Sequence, residues 1–176
     1  MDELGHSCAF TGHRPYKLPW KDNESDPRCI MLMRRLYDQI AALAGRGVTD
    51  YYSGMAEGTD LWAALAVLKL KKENPTVRLH CIIPYHGQPD KWGIKSQTRY
   101  FKILQKADET KELSYSYYDG CLLDRNRYMV DRTGTLLAVY NGEYRGGTAA
   151  TIRYARKLDR EIIIIDPATG KISQDA

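Results

Sequence analysis

The chain has 176 residues, of which 43% are hydrophobic and 27% are charged, and its formal net charge is +4. This length predicts a single domain, residues 1–176, and the composition is typical of soluble globular proteins. The mild positive charge permits an anionic ligand or nucleic acid without requiring either, and no apolar run is long enough to span a membrane.

The cysteines and the amino terminus bear on cellular location. Cys8, Cys29, Cys81 and Cys121 are widely spaced and form no Cys-x-x-Cys pair. This spacing disfavours both a zinc site and a disulfide framework, so we expect no metal and a reduced, cytoplasmic environment. The first residues contain neither the basic region nor the apolar region of a signal peptide, and we expect none.

Strand and helix patterns alternate from the beginning of the chain to its end. The predicted strands are residues 7–10, 48–52, 77–83, 112–115, 135–140 and 162–165. The predicted helices are residues 27 to about 45, 61–73, 97–107, 119–132 and 149–158. The segment 112–115 is the weakest of these, because its serine and tyrosine are equally typical of a loop. The alternation predicts a mainly parallel sheet with helices on both faces, a three-layer α/β/α sandwich.

The loop Ser53–Asp60 joins a predicted strand to a predicted helix. This geometry points free backbone N–H groups and the positive end of a helix dipole toward an anion. Gly54 and Gly58 can adopt positive φ or let a ligand approach the backbone, and Thr59 or Asp60 can cap the helix. A tight βα turn with an ordinary N-cap explains the same residues equally well.

Two further polar loops follow predicted strands. Thr11–Pro15 follows the first strand, and Asn141–Thr148, with Gly146 and Gly147, follows the strand 135–140. The loops after parallel strands emerge at one edge of a sheet, where ligands of open α/β sheets bind. The three loops are therefore expected to meet at one cleft, which favours a phosphate-bearing ligand.

Two common nucleotide-binding motifs are absent. The first strand is followed by Gly12-His13-Arg14-Pro15 rather than by Gly-x-Gly-x-x-Gly, and no Gly-Lys-Ser/Thr sequence occurs. The chain is therefore neither a standard dinucleotide-binding protein nor an ATPase or GTPase of the Walker class.

The order of the loop motifs resembles the SLOG superfamily and, within it, the YpsA-like family. The resemblance covers residues 9–166 and includes Thr11–Pro15, Ser53–Asp60, Arg125–Arg127 and Gly147–Ala155. It implies a Rossmann-like fold and a nucleotide-type ligand, for which ADP-ribose or an NAD-like molecule are candidates, and it is compatible with a homodimer. The superfamily includes the Lonely-guy phosphoribohydrolases and the single-stranded DNA-binding protein DprA, so both activities are alternatives.

The hydrolase alternative requires a carboxylate that is not at its expected position. The Lonely-guy pattern Pro-Gly-Gly-x-Gly-Thr-x-x-Glu, aligned on Thr148, places Thr151 where the glutamate belongs. An oxocarbenium-like transition state needs a nearby carboxylate, which threonine cannot supply. Arg125 and Met129 match the arginine and methionine of those hydrolases, and Glu57 is a weak substitute for the missing acid. We therefore predict a sensor or scaffold, with catalysis as the alternative.

The DNA alternative depends on cations that lie on or beside two predicted helices. Arg125 and Arg127 are two residues apart, so one can face the cleft while the other faces solvent. The remaining cations of this group are Arg132, Arg145, Arg153, Arg156, Lys157 and Arg160. A solvated helix face explains most such charge runs, and single-stranded DNA is the less favoured partner.

Individual roles follow from position. We expect His13 to be exposed in the cleft as a hydrogen-bond donor, and Arg14, held extended by the following proline, to contact phosphate or a nearby acid. Asp60 can accept from a ribose hydroxyl, although complementing the helix dipole is favoured. The full set of predicted ligand-binding residues is Gly12, His13, Arg14, Ser53, Gly54, Glu57, Gly58, Thr59, Asp60, Arg125, Asn141, Gly146, Gly147 and Thr148.

Overall fold

The computed structural model describes residues 3–175, which form seven strands and five helices longer than one turn. The strands are β1 Ser7–Gly12, β2 Asp50–Ser53, β3 Arg78–Ile83, β4 Glu109–Glu112, β5 Thr135–Val139, β6 Glu161–Ile165 and β7 Ile172–Asp175. The helices are α1 Pro27–Gly45, α2 Thr59–Lys71, α3 Ile94–Lys106, α4 Cys121–Asp131 and α5 Gly147–Lys157. Two short 3-10 turns, Glu3–His6 and Pro15–Lys17, flank β1.

The strands form one sheet in the order β4-β3-β2-β1-β5-β6-β7. Every neighbouring pair is parallel except β6 and β7, which are antiparallel. The chain runs outward from β1 to β4 and then returns to the other side of β1 at β5. The sheet therefore has its topological switch point between β1 and β5, the place where ligands of such sheets bind.

Helices cover both faces of the sheet. Apolar side chains of α1, α2 and α3 pack together on one face, and those of α4 and α5 pack on the other. The buried face of α1 consists of Leu32, Leu36, Ile40 and Leu43 at helical spacing, which packs this helix against the sheet. Asp26 caps α1 by accepting a hydrogen bond from the N–H of Arg28. The predicted Rossmann-like three-layer sandwich is thus confirmed.

Both outer strands differ from the sequence predictions. The strand predicted at 112–115 is three residues too late, since β4 covers Glu109–Glu112, and β7 was not predicted at all. All four residues of β4 are exposed, and β7 carries Ser173 and Gln174 facing solvent. Edge strands of this kind lack the apolar alternation by which strands are recognised, and charged residues protect such edges from aggregation.

No helix within residues 3–175 combines the length and the apolar character needed to cross a bilayer.

The end of β1 packs tightly against the start of α2. A Cβ built on Gly12 would lie 2.6 Å from the Cβ of Thr59, whose hydroxyl donates to the carbonyl of His13 at 3.1 Å. The absence of a side chain at Gly12 therefore allows the loops after β1 and β2 to approach each other.

Replacing Gly12 with alanine is expected to lower the free energy of unfolding by about 1–3 kcal/mol, because the buried Thr59 has no room to move away. Urea denaturation of both proteins measures the difference. Gly45→Ala is the matched control, since nothing lies within 4 Å of its added Cβ, and it should change stability by no more than about 1 kcal/mol. Equal effects at the two positions would contradict the packing argument.

Candidate functional site

A cavity of about 330 Å³ opens at the switch point, at the carboxyl ends of β1, β2 and β5. Residues from the loops after these strands and from the start of α4 line it. The lining residues are Thr11, Gly12, His13, Arg14, Tyr16, Lys17, Ala56, Asp60, Leu122, Leu123, Arg125, Asn126, Gly147 and Thr148. The three polar loops predicted to converge thus contribute to one cavity.

The amino terminus of α5 faces this cavity. Its N-cap is Gly146, with φ of 106°, and no side chain caps the first turn. Gly147 and Thr148 line the cavity, so the free N–H groups of the first turn and the positive end of the helix dipole lie beside it. This arrangement is the one that proteins commonly use to bind anions.

Arg125 places a buried guanidinium at the floor of the cavity. Its side chain is 3% exposed. Nη1 donates to the carbonyl of Gly54, and Nε donates to Oδ1 of Asn126 at 2.8 Å. Nη2 donates to no residue of the described chain. Burial lowers the pKa of this guanidinium, and the negative charge of Asp60 opposes that shift.

Gly54 makes the position of Arg125 feasible. A Cβ at residue 54 would lie 2.5 Å from Cζ of the guanidinium. The next residue, Met55, is fully buried with φ of 60°, a conformation that costs free energy and that tertiary packing must maintain. The loop after β2 is therefore shaped to receive Arg125.

Asp60 is the only carboxylate among the described residues that line the cavity. It is 6% exposed, and its Oδ2 accepts a hydrogen bond from the N–H of Ala56 at 3.2 Å. Burial raises its pKa, while the charges of Arg125 and Arg14 act in the opposite direction. A buried acid with a perturbed pKa, inside a cleft and beside two arginines, is a typical feature of functional sites.

His13 is nearly fully buried, at 2% exposure, although the sequence favoured an exposed donor. Its Nε2 accepts a hydrogen bond from the N–H of Asn141 at 3.1 Å, which places the proton of the neutral ring on Nδ1, 3.8 Å from Glu143. Burial lowers the pKa of this imidazole. His13 therefore ties the loop after β1 to the loop after β5.

The mouth of the cavity carries two cations and an exposed tyrosine. Arg14 is extended, as its proline neighbour predicts, and within residues 3–175 it forms neither an ion pair nor a side-chain hydrogen bond. Lys17 pairs with Glu143 at 2.5 Å. Tyr16 is 65% exposed. The sequence identified the long loop after β1 but not Tyr16 or Lys17 within it.

Other predicted residues surround the cavity without lining it. Ser53 ends β2 and Gly58 ends the loop that follows it, and both are buried. The N-cap of α2 is Gly58 rather than Thr59 or Asp60. Asn141 and Gly146 flank the entrance to α5. The capping prediction was wrong because the backbone of Gly58, with φ of 85°, begins the helix without a side-chain acceptor.

Glu57 lies outside the cavity. It lines a separate hollow of about 280 Å³ together with Glu24 and Arg99. Thr151, at the position of the hydrolase glutamate, donates to the carbonyl of Gly147 at 2.8 Å and accepts from Asn126 at 2.9 Å. Its hydroxyl therefore joins α4 to α5 instead of supplying a charge.

The arginines considered for DNA binding largely contact the protein itself. Arg127 lies 5.4 Å from the ring centroid of Tyr154, so Arg125 and Arg127 do face different directions. Arg156 pairs with Asp175, and Arg160 donates to main-chain carbonyls that include that of Val130. Within residues 3–175, no group of three or more His, Cys, Asp or Glu side chains is placed to hold a metal ion.

The fold and the cavity define a class of protein, namely Rossmann-like α/β proteins with a cavity at the switch point beside the amino terminus of a helix. The family model for YpsA, described as the YspA SLOG family, matches residues 8–168. The chain therefore belongs to this SLOG family, as its loop motifs indicated.

Relatives of comparable length support this membership. The UPF0398 protein BLi02355/BL05236 of Bacillus licheniformis is 27% identical over 151 residues, covering 85% of this chain and 82% of the relative. The UPF0398 protein BH1768 of Halalkalibacterium halodurans is 29% identical over 156 residues, covering 87% and 82%. The UPF0398 protein YpsA of Bacillus subtilis is 24% identical over 151 residues, covering 85% and 83%.

Two solved structures share the fold. DNA processing protein A from Helicobacter pylori, described as binding single-stranded DNA, superposes with a TM-score of 0.60 at 15% identity, over 93% of this chain and 66% of that protein. The chain thus spans just under two thirds of it. The structural-genomics target TM1055 superposes with a TM-score of 0.52 at 14% identity, over 89% and 71%. Identities this low show the fold alone.

The raised pKa of Asp60 predicts a pH dependence of stability. The folded state keeps this proton to a higher pH than the unfolded state does, so ionisation in the folded chain costs free energy. Asp60→Asn removes the titration and keeps an oxygen that can accept from Ala56. We expect the stability of the native protein relative to this variant to fall as pH rises above about 4, and to level off above the folded-state pKa.

Urea denaturation at several pH values between about 4 and about 8 measures this difference. Asp38→Asn, on the exposed side of α1, is the control for replacing an aspartate that is not buried. A stability difference between the native protein and Asp60→Asn that stays constant with pH would contradict the assignment.

Proposed function

We propose that the cavity at the switch point binds the phosphate and sugar of a nucleotide or nucleotide-derived molecule. The observation that carries the proposal is the convergence of the uncapped amino terminus of α5 with Arg125 and the unpaired Arg14. Backbone N–H groups supply directed donors, and the arginines supply charge. Each charge-assisted hydrogen bond contributes about 1.5–3 kcal/mol, enough to hold a small anion from water.

The volume of the cavity favours a mononucleotide over ADP-ribose or an NAD-like molecule. Its volume of about 330 Å³ lies at the lower end of the range of about 300–1,000 Å³ typical of small-molecule sites. Tyr16 offers a stacking surface at the mouth, and Leu122 and Leu123 supply apolar contact. Asp60 is placed to accept from a ribose hydroxyl.

We propose a sensor or scaffold role, with N-glycosidic hydrolysis as the second candidate. Thr151 occupies the position of the hydrolase glutamate, and Glu57 lies in a different hollow. Asp60 is the one acid of the described chain that lines the cavity, and it keeps the second candidate in consideration.

Four free, buried cysteines support a cytoplasmic location.

DNA binding in the manner of DprA is the weaker alternative. The similarity to the Helicobacter pylori protein concerns the fold, and the arginines Arg156 and Arg160 already have partners within the chain. Binding of a nucleic-acid backbone needs cations that are free to neutralise its phosphates and release their counterions.

A homodimer stays a prediction from the family resemblance, and light scattering is its direct test.

Replacing Gly147 with valine is expected to weaken mononucleotide binding by at least about tenfold, because the side chain blocks approach to the N–H groups of α5. Nothing lies within 4 Å of a Cβ at Gly147, so the free protein should keep its fold. Calorimetric titration with a panel of nucleoside monophosphates measures the affinity, after a thermal-shift screen that includes ADP-ribose, NAD and oligothymidylate.

Gly93→Val is the matched control, since Gly93 precedes α3, also has open space, and lies away from the cavity.

A triple Arg153/Arg156/Arg160→Gln variant tests the DNA alternative. It should leave nucleotide binding unchanged, whereas loss of oligonucleotide binding, with a salt slope reduced by about one unit per lost contact, would favour DNA. The small-molecule proposal fails if only this triple variant has an effect.

We expect purified protein to release no base from nucleoside monophosphates above the uncatalysed background, because Thr151 provides no carboxylate. Chromatographic detection of free base after prolonged incubation is the measurement. Turnover that persists through purification and disappears in Asp60→Asn or in Glu57→Gln would instead place the protein among the hydrolases and identify the acid.

A further inference from the structure

A second concave surface lies between α2 and α3, outside the cavity described above. It is a groove of about 610 Å³ whose described lining contains no acidic side chain and no aromatic ring. The α2 wall presents Leu65, Leu68, Lys69 and Lys72, which follow the i, i+3, i+4, i+7 spacing of one helix face. This wall is therefore apolar at one end and basic at the other.

The α3 wall repeats the same pattern with more charge. Lys95, Thr98, Arg99, Lys102 and Lys106 occupy one face of the helix at spacings of three and four residues. Eleven residue steps separate Lys95 from Lys106, so the wall is about 16 Å long, or about three helical turns. The groove has the length of a short docked helix.

Part of the positive charge of the groove is already neutralised by the protein. Lys71 pairs with Asp108, and Glu24 pairs with Arg99 at 2.6 Å and with Lys95 at 3.9 Å. Within residues 3–175, Lys69, Lys72, Lys102 and Lys106 form no ion pair. The ammonium of Lys69 lies 4.7 Å from the ring centroid of Tyr37. Four cations therefore remain available to an anionic partner.

We propose that this groove is a docking site for an acidic, amphipathic helical segment of a partner protein. Leu65, which is 38% exposed, and Leu68 would receive apolar side chains at helical spacing, and the four available lysines would face carboxylates. Because the groove is positively charged, charge complementarity favours a negatively charged partner. The aliphatic floor favours a peptide over single-stranded nucleic acid, which binds through aromatic stacking that the groove does not offer.

The test begins with selection from a display library of random peptides about 16 residues long, using the full chain as bait. We expect the enriched peptides to combine Leu, Ile, Met or Phe at i, i+3/i+4 and i+7 with several Asp or Glu residues. Fluorescence anisotropy of one enriched peptide, synthesised with a dye, then gives its affinity. Enrichment without an acidic bias would overturn the proposal.

Variants locate the binding surface. Lys69→Glu with Lys102→Glu reverses one charge on each wall and should weaken the labelled peptide by at least about tenfold. Lys157→Glu with Lys171→Glu makes the same change in net charge elsewhere on the surface and should alter affinity by less than about twofold. Leu65→Ser should weaken binding without changing net charge. Circular dichroism confirms that each variant folds. Equal effects of the two double variants would refute the groove.

The other occupants are separate outcomes of the same measurements. If labelled oligothymidylate binds and the groove variant abolishes that binding while the peptide fails to bind, the groove is a nucleic-acid site and the proposal is wrong. If light scattering shows a dimer that the groove variant dissociates, the occupant is a second copy of the chain. Nucleotide binding at the switch-point cavity is measured independently, so either proposal can fail alone.

Discussion

The burial of one guanidinium constrains the whole site. Removing a charged arginine from water is unfavourable unless its donors find partners and its charge a nearby acid. Arg125 meets this requirement with the carbonyl of Gly54, the amide of Asn126 and the negative charge of Asp60. Asn126 belongs to α4, Gly54 to the loop after β2 and Asp60 to α2, and the helices α2 and α4 cover opposite faces of the sheet. Arg125 therefore connects elements from both faces of the sheet beside the cavity.

A chain of hydrogen bonds extends this constraint to the second half of the site. Asn126 also donates to Thr151, and Thr151 donates to the carbonyl of Gly147, so α4 fixes the first turn of α5. His13 accepts from Asn141 on the opposite side of the cavity. The N–H groups of α5 are thereby preorganised, and a ligand that binds there gives up little free energy to ordering the protein.

Local patterns were sufficient for most of the fold but not for the direction of individual side chains. The helical apolar spacing of α1 and the strand–glycine–helix order of the loops are properties of neighbouring residues, and both were found in the structure. β4 and β7 are edge strands fixed by pairing with β3 and β6, which no local apolar pattern records. The burial of His13 and the free N-cap at Gly58 depend on how closely two distant loops approach.

The two concave surfaces share one rigid element. α2 begins beside the cavity, where Asp60 lies. Its outer face reaches the groove five residues later at Leu65 and then at Lys69. Most of the remaining α2 side chains are buried against the sheet and its neighbouring helices, so the helix can shift only as a unit. A ligand that neutralises charge near Asp60 can change affinity at the groove only if it binds two positions of this helix with different affinity. A partner in the groove would then change the affinity of the cavity for its ligand by the same factor. If the cavity binds a ligand and the groove binds a partner, as proposed, both events depend on the same helix.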